Sequence, residues 1–457
     1  MALAKVTSCA VVGLDGFPID VEVDIGQGLP NFLIVGLPDK AVEESKERVR
    51  SALKNSGTHF PVSRITVNLA PADIKKEGPA YDLPIALAIL LAERQILPDQ
   101  LDGAVLIGEL SLDGRLRHVN GILPMVMMAK AKGFRRVFVP AVNTKEALLV
   151  EGVEVIPIDT LKDLVLFAKN EKSIAPAVGQ LGNQSIEEQY EHDFAHVKGQ
   201  EHAKRALEIA AAGGHNVLFS GPPGSGKTLL ARSFPSILPS MDVSESLEVT
   251  KLYSIAGLLP HDVPLVAKRP FRAPHHTASD IAMVGGGQWP RPGEITLAHR
   301  GVLFLDELPE FPRSVLEVLR QPLEDGIVTI SRATGSLTFP AQFTLVAAQN
   351  PCPCGYLNDP VKPCICTPTQ ILRYQKKVSG PLLDRIDLHV EVPRVKMEKL
   401  TDEQVAEPSQ AIRQRVERAR SRQLIRFANR SLRANAEMAP KDLKEFCRLD
   451  QQGLVLL

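Results

Sequence analysis

Eight consecutive residues, Gly221-Pro222-Pro223-Gly224-Ser225-Gly226-Lys227-Thr228, match the pattern G-x-x-x-x-G-K-[ST] in full. Such a string serves the grip of a nucleoside triphosphate. Its glycines let backbone N–H groups turn inward around phosphate oxygens, and the N-terminus of a following helix adds its dipole. Lys227 is then the group that reaches the β and γ phosphates, and Thr228 the one that ligates Mg2+. About eighty residues further on, Gly301-Val-Leu-Phe-Leu-Asp306-Glu307 is an apolar run ending in two acids. Beside a phosphate loop, Asp306 holds Mg2+ directly or through water and Glu307 polarises the attacking water, which separates a hydrolase from a mere nucleotide binder. The next apolar run, FTLVAAQN at 343–350, ends in Asn350, an amide that either orients that same water or is a plain turn residue.

Other groups carry weaker signals. Cys352, Cys354, Cys364 and Cys366 can supply four thiolates to one tetrahedral Zn2+, although C-x-C is a less common zinc spacing than C-x-x-C and four free thiols is the alternative. The run from Arg413 to Arg430 predicts a strongly basic helix: a patch for DNA phosphates, a contact for a neighbouring subunit, or a solvated face. His275-His276 reads as packing or hydrogen bonding rather than metal ligation.

These residues need a scaffold. GGHNVLFSGPPGSGKTLLARSF predicts strand, glycine-rich loop and helix, and GVLFLDE and FTLVAAQN predict buried strands of an α/β nucleotide-binding core. Before it, strand-like runs at 21–24, 32–36, 64–69, 104–110 and 136–140 alternate with helix-like ones such as 40–54, an α+β pattern over 1–168. Residues 169–192 lose apolar periodicity and gain Gly, Pro, Asn, Gln and Ser, the composition of a linker. The core is expected over 193–392, and helical charge patterns then predict an all-α lid over 393–457.

A chain of 457 residues is too long for a single core, and its 53 Lys plus Arg balance 53 Asp plus Glu, so any DNA contact must come from local patches. The N-terminus lacks the uninterrupted apolar core of a signal peptide, and the longest apolar stretch, 83–92, falls well short of the roughly 20 residues that cross a bilayer. The expected setting is the cytoplasm, without a membrane partner.

The order of phosphate loop, acidic strand end, polar strand tip and Gly380-Pro-Leu-Leu-Asp-Arg385-Ile-Asp387 resembles an AAA+ ATPase of the magnesium-chelatase-like group. More closely, nearly the whole chain resembles the ComM/YifB family of bacterial competence-associated AAA+ proteins, through Val-Lys-Gly-Gln200, Arg-Pro-Phe-Arg-Ala-Pro-His-His276, Pro-Gly-Glu-Ile-Thr-Leu-Ala-His299 and Asn350-Pro-Cys-Pro-Cys-Gly355. The resemblance implies Walker A at Lys227 and Thr228, Walker B at Asp306 and Glu307, and sensor 1 at Asn350. It implies that Arg385 is the arginine finger inserted into the neighbouring subunit's site; a surface salt bridge with Asp384 or Asp387 is the other reading. A homo-oligomeric ring, by analogy a hexamer, follows from a finger in trans. The two β-rich arms between Asp325 and Phe343, around a polar turn containing glycine, resemble a pore-facing hairpin, with Arg332 either touching a phosphate or lying solvated. The insert 254–292 sits where this group carries a helix-2 insertion.

Residues 1–168 resemble the proteolytic-domain (S5-type) fold of the Lon protease, in Lys76-Glu-Gly-Pro-Ala80 and in the Gly108–Gly121 string. The serine position of that protease's dyad reads Ala80 and its lysine position falls on or near Leu123, so no protease activity is expected. The family continues beyond the point where this sequence stops, so an incomplete lid is expected and no residue is assigned as sensor 2. The expected fold is thus α/β multidomain. The expected function is an ATP- and Mg2+-dependent ring motor on single-stranded or branched DNA, a helicase for branch migration in recombination during natural transformation. A chelatase-like remodeller of a protein partner and a nucleotide-gated scaffold are the alternatives.

Overall fold

The computed structural model describes residues 2–179, 190–260, 263–287, 291–332, 335–395, 406–430 and 432–456. They fall into two compact units, Met1–Ser185 with Leu247–Val266, and Ile186–Ser246 with Ala267–Leu457. Residues 247–266, which the sequence reading placed within the ATPase core, therefore cluster with the first unit. Their anchors there are specific: the Ser254 hydroxyl donates to Glu146 at 2.5 Å, the Gly121 N–H donates to the Ser254 carbonyl at 3.2 Å, and Lys251 pairs with Asp15 at 3.3 Å. Most of the expected linker, 180–189, lies outside the described residues.

The first unit is a seven-stranded mixed sheet in the order Asn31–Val35, Arg64–Ala70, Asp15–Gly26, Ala2–Val12, Ala104–Leu106, Arg136–Pro140, Glu154–Ile158. Alternating burial along Arg64–Ala70 marks a sheet with one covered face. That cover includes the helix Asp82–Ala92, buried on every side as its unbroken apolar run predicts. Asp82 opens this helix fully buried; burial pushes its carboxyl up to about 6, while Arg48, 2.6 Å away, and the Leu110 N–H oppose the shift. Ala80 and Leu123 lie in one apolar cluster with Cys9, so methyl and isobutyl groups fill the place where the resemblance puts a dyad.

The second unit is built on a five-stranded parallel sheet in the order Phe271–Arg272, Val302–Leu305, Thr344–Gln349, Val217–Ser220, Leu388–Glu391. Its central strands are buried along their length, which is why they read as continuous apolar runs rather than alternating ones. Helix Glu201–Gly213 packs its Ala203, Leu207, Ala210 and Ala211 into the same core as these strands. A six-pair antiparallel hairpin, Ile327–Arg332 with Gly335–Pro340, stands outside the sheet, with Val328, Ile330 and Phe339 buried. Its tip, 333–334, and the side chain of Arg332 lie outside the described residues.

The basic helix spans Ser409–Arg426. Its arginines are largely committed to the fold: Arg415 pairs with Glu208 at 2.7 Å and Glu407 at 2.5 Å, and Arg420 donates to the Ala211 carbonyl at 2.9 Å. Arg430, beyond its end, pairs with Asp442 and Glu445. Part of the run thus anchors neighbouring elements, while Arg418, Arg422 and Arg426 are exposed. No described helix is long and apolar enough to cross a membrane.

Candidate functional site

All strands of the parallel sheet point the same way, so the segments leaving their carboxyl ends converge at one edge, where such folds bind ligands. The loop 221–226 leaves Val217–Ser220, Asp306 and Glu307 leave Val302–Leu305, and Asn350 leaves Thr344–Gln349. Three runs separated by up to 130 residues of sequence thereby meet.

Gly224 and Gly226 hold φ of +75° and +93°, which a side chain would oppose, and Lys227 opens the helix Lys227–Ser233 directly behind them. Gly221 is needed for a different reason: a Cβ there would collide with the Val392 carbonyl oxygen. Gly221→Ala is expected to cost about 1–3 kcal/mol through overpacking and to weaken nucleotide binding, read as a lower melting temperature and a raised Kd for ATP. An unaltered melting curve would place the chain's exit from that strand elsewhere.

The Lys227 ammonium donates to the Gly221 carbonyl at 2.7 Å, the Pro222 carbonyl at 2.9 Å and Asn350 Oδ1 at 3.3 Å. Burial lowers its pKa, with the carboxylates of Asp306 and Glu307 opposing the shift. A phosphate placed beside it would favour the charged form and replace the carbonyls that now receive its protons. The Thr228 hydroxyl donates to Asp306 Oδ2 at 2.7 Å, so the two oxygens that would hold Mg2+ already lie together. Ser225 Oγ is buried with no hydrogen-bond partner among the described residues. An orphaned hydroxyl within the loop is what a phosphate ligand would satisfy. The residues present therefore fit ATP with Mg2+.

Glu307 sits at φ +54°, a left-handed conformation that costs a non-glycine residue about 1–2 kcal/mol. Its N–H donates to Asp306 Oδ1 at 2.9 Å, and its carboxylate lies 3.4 Å from His276 Nδ1. His276 stacks on His275 with ring centres 4.1 Å apart, so the pair does pack, but it packs against the acid. The sequence carried the two histidines without a sign that they follow the strand beside Asp306 and Glu307. Gln200 was also missed as a site support; it donates to the Ser225 carbonyl at 3.1 Å and the Pro393 carbonyl at 2.5 Å.

Arg385 lies at the other edge of the sheet. Leu388 pairs with Val217 and Glu391 with Ser220, so Arg385 precedes the strand start whereas the phosphate loop follows the strand end. At about 3.3 Å per residue those edges are more than 10 Å apart. Asn216 fixes the segment, donating to the Arg385 carbonyl at 2.9 Å and, through its N–H, to Asp387 at 3.0 Å. The partly exposed guanidinium pairs with Glu324, not with Asp384 or Asp387 as the salt-bridge alternative supposed.

The sulfurs of Cys352, Cys354, Cys364 and Cys366 all lie within 4.8 Å of one another. Cys352 to Cys354 is 3.4 Å, and Cys364 is 3.6 Å from both. The N–H groups of Tyr356 and then Ile365 push the Cys354 thiol down to about 6. The four cysteines therefore form one cluster able to hold a metal.

Comparisons with known proteins agree with this layout. A family model described as "Magnesium chelatase, subunit ChlI" matches residues 193–400, one described as "Subunit ChlI of Mg-chelatase" matches 21–143, and one described as "Magnesium chelatase, subunit ChlI C-terminal" matches 406–457. An uncharacterized protein of Mycobacterium tuberculosis (strain H37Rv) is 46% identical over 442 residues, covering 96% of this chain and 86% of that protein. The protein YifB of Escherichia coli K12 is 43% identical over 462 residues, covering 100% of this chain and 88% of its own. The competence protein ComM of Haemophilus influenzae is 42% identical over 462 residues, covering 100% of this chain and 89% of its own. Lon protease 2 of Bacillus subtilis is 28% identical over 122 residues, 26% of this chain and 22% of the protease, a weaker and partial likeness.

Proposed function

The chain belongs to the ComM/YifB family of magnesium-chelatase-like AAA+ proteins, and on that footing we propose that it is an ATP-hydrolysing, ring-forming motor that acts on DNA. The observation that carries the hydrolase reading is the meeting of Lys227, Thr228, Asp306, Glu307 and Asn350 at one sheet edge. In this reading the loop 221–226 and Lys227 would hold the triphosphate, and Thr228 and Asp306 would hold Mg2+, which when bound would supply neutralisation of the charge developing on the phosphates. Glu307 orients and deprotonates the attacking water, and Asn350 holds that water in line with the γ phosphate.

Arg385 completes the site of the next protomer, because the strand register keeps it away from its own phosphate loop. A heterologous contact of that kind closes into a ring, by analogy a hexamer. Substrate DNA, single-stranded or branched, is held by phosphate contacts of the hairpin that includes Arg332, and the work done is branch migration of recombination intermediates during natural transformation. The name of the Haemophilus relative supports competence as the setting, and the cytoplasm is the proposed place. Zn2+ is the proposed ion of the cysteine cluster. The first unit serves as a ring platform without protease activity, since Ala80 offers no nucleophile and Leu123 no base.

ATP turnover with and without single-stranded and branched DNA, across a salt series, tests this reading. Stimulation by DNA that falls steeply as salt rises is the expected result. Turnover indifferent to DNA at low salt would favour a remodeller of a protein partner instead. Equal rates in the wild type and the Glu307→Gln and Arg385→Ala variants would leave only a nucleotide-gated scaffold.

A further inference from the structure

Between the strand Thr344–Gln349 and the helix Pro368–Gln375 the chain forms neither helix nor strand, yet this stretch leans on the nucleotide site. A loop of that length costs conformational entropy to hold in one shape, and a multidentate ion is an effective way to hold it. The four sulfurs have the dimensions for one. Zn–S bonds of about 2.3 Å at tetrahedral angles place sulfurs about 3.8 Å apart, close to the 3.4, 3.6 and 3.6 Å found here. Cys364 is equidistant from Cys352 and Cys354, whereas a disulfide would single out one partner. The Cys366 N–H also donates to Cys364 Sγ at 3.4 Å, which holds the second C-x-C turn against the first pair of sulfurs.

The same loop touches the ATP site at two places. Cys352 follows Asn350 by two residues, and Asn350 Oδ1 accepts a hydrogen bond from the Lys227 ammonium at 3.3 Å. The turn closed by the Gly355 N–H on the Cys352 carbonyl at 2.9 Å lies flat on the phosphate loop: at φ +83° a Cβ on Gly355 would stand 2.6 Å from Pro223 Cδ. Outside these contacts the loop is braced by Arg394 on Asp359 at 2.9 Å and by Gln375 on the Pro351 carbonyl at 3.5 Å. The ion would therefore sit at the root of two groups that face the triphosphate.

Resting on the zinc and ATPase readings above, we infer that the Cys352–Cys354–Cys364–Cys366 centre is a positioning device of the ATP site: its bound Zn2+ fixes Asn350 and the Gly355–Pro223 contact, so that metal occupancy governs the rate of hydrolysis. The four cysteines touch no reacting atom; they act through Asn350 and Pro223. Misplacing a group that orients the attacking water by about 1 Å costs up to roughly a hundredfold; through Asn350 the effect falls on kcat, while any shift of Pro223 adds an effect on the phosphate grip that the analogue's affinity reads separately.

The test begins with the full chain purified without chelator, its metal content, ATP turnover, melting curve and affinity for a fluorescent ATP analogue being measured before and after stripping under reducing conditions. One zinc per chain is expected, with kcat falling roughly tenfold to a hundredfold on stripping and returning when Zn2+ alone is restored. Cys364→Ser should lose both zinc and kcat, while Cys447→Ser, an exposed cysteine outside the cluster, should keep both. Gly355→Ala should keep its zinc and still lose kcat, which separates misplacement from unfolding if the stripped or Cys364→Ser chains melt early. Iron or no metal in the chelator-free protein, or a reduction-sensitive disulfide in its place, overturns the zinc reading and the inference with it. Zinc present, with kcat unmoved by stripping and by Gly355→Ala, overturns the coupling alone. A zinc-loaded wild type that turns over no ATP overturns the hydrolase reading and the rate control with it; the analogue's affinity then reports whether the pocket grips nucleotide at all.

Discussion

Glu307→Gln is expected to leave ATP binding nearly intact while lowering turnover by roughly 10²–10⁴-fold. The amide keeps the shape of the carboxylate and removes its basicity, so the loss belongs to the chemical step. Glu307 suits that role because its left-handed backbone projects it beyond the strand end, with its N–H tied to Asp306 and its carboxylate beside His276. Lys227, Thr228 and Asp306 form their own contacts without it, which is why binding should survive. Equilibrium binding of a fluorescent ATP analogue and phosphate release from the same preparation check the two halves separately. Loss of binding in step with turnover would make Glu307 part of the grip rather than the base.

Arg385→Ala should be nearly as severe, by roughly 10³–10⁵-fold in kcat, with the melting temperature little changed. The stability side follows from its surroundings: the guanidinium is partly exposed and its partner Glu324 is about equally so, and such pairs contribute only about 0–1 kcal/mol. Its backbone is held independently by Asn216, so truncating the side chain leaves the Asp387–Asn216 contact in place. The catalytic side follows from charge: a guanidinium beside a transferring phosphoryl group offsets the charge that develops there. A large fall in melting temperature with a modest fall in kcat would return Arg385 to a structural role.

The sequence made the parallel core readable because its central strands are buried and therefore appear as unbroken apolar runs, two of them followed directly by the polar residues Asp306 and Asn350. The phosphate loop was legible for a related reason: backbone approach to an anion restricts residue type at each position, so the pattern survives in one dimension. What stayed hidden was contact between elements. Nothing in the order of residues says that His276 comes within 3.4 Å of Glu307, that Glu324 takes the Arg385 side chain, or that residues 247–266 leave the core they interrupt and anchor on Glu146 and Asp15. The arginine-rich run showed its helix but not its partners, because a charge run looks alike in sequence whether those are water, phosphate or the carboxylates of Glu208 and Glu407. The cysteine spacing raised the four-sulfur reading without choosing it over four free thiols, because C-x-C becomes a cluster only when the intervening loop folds back.

The most direct test of a site shared between protomers is to mix the two variants. Glu307→Gln chains retain a finger and Arg385→Ala chains retain a pocket, so neither turns over ATP alone. If Arg385 serves its neighbour, an equimolar mixture should recover turnover at roughly a quarter of the wild-type rate, the share of interfaces that join an intact pocket to an intact finger. A mixture as inactive as its components, in rings shown by mass to contain both chains, would contradict the account.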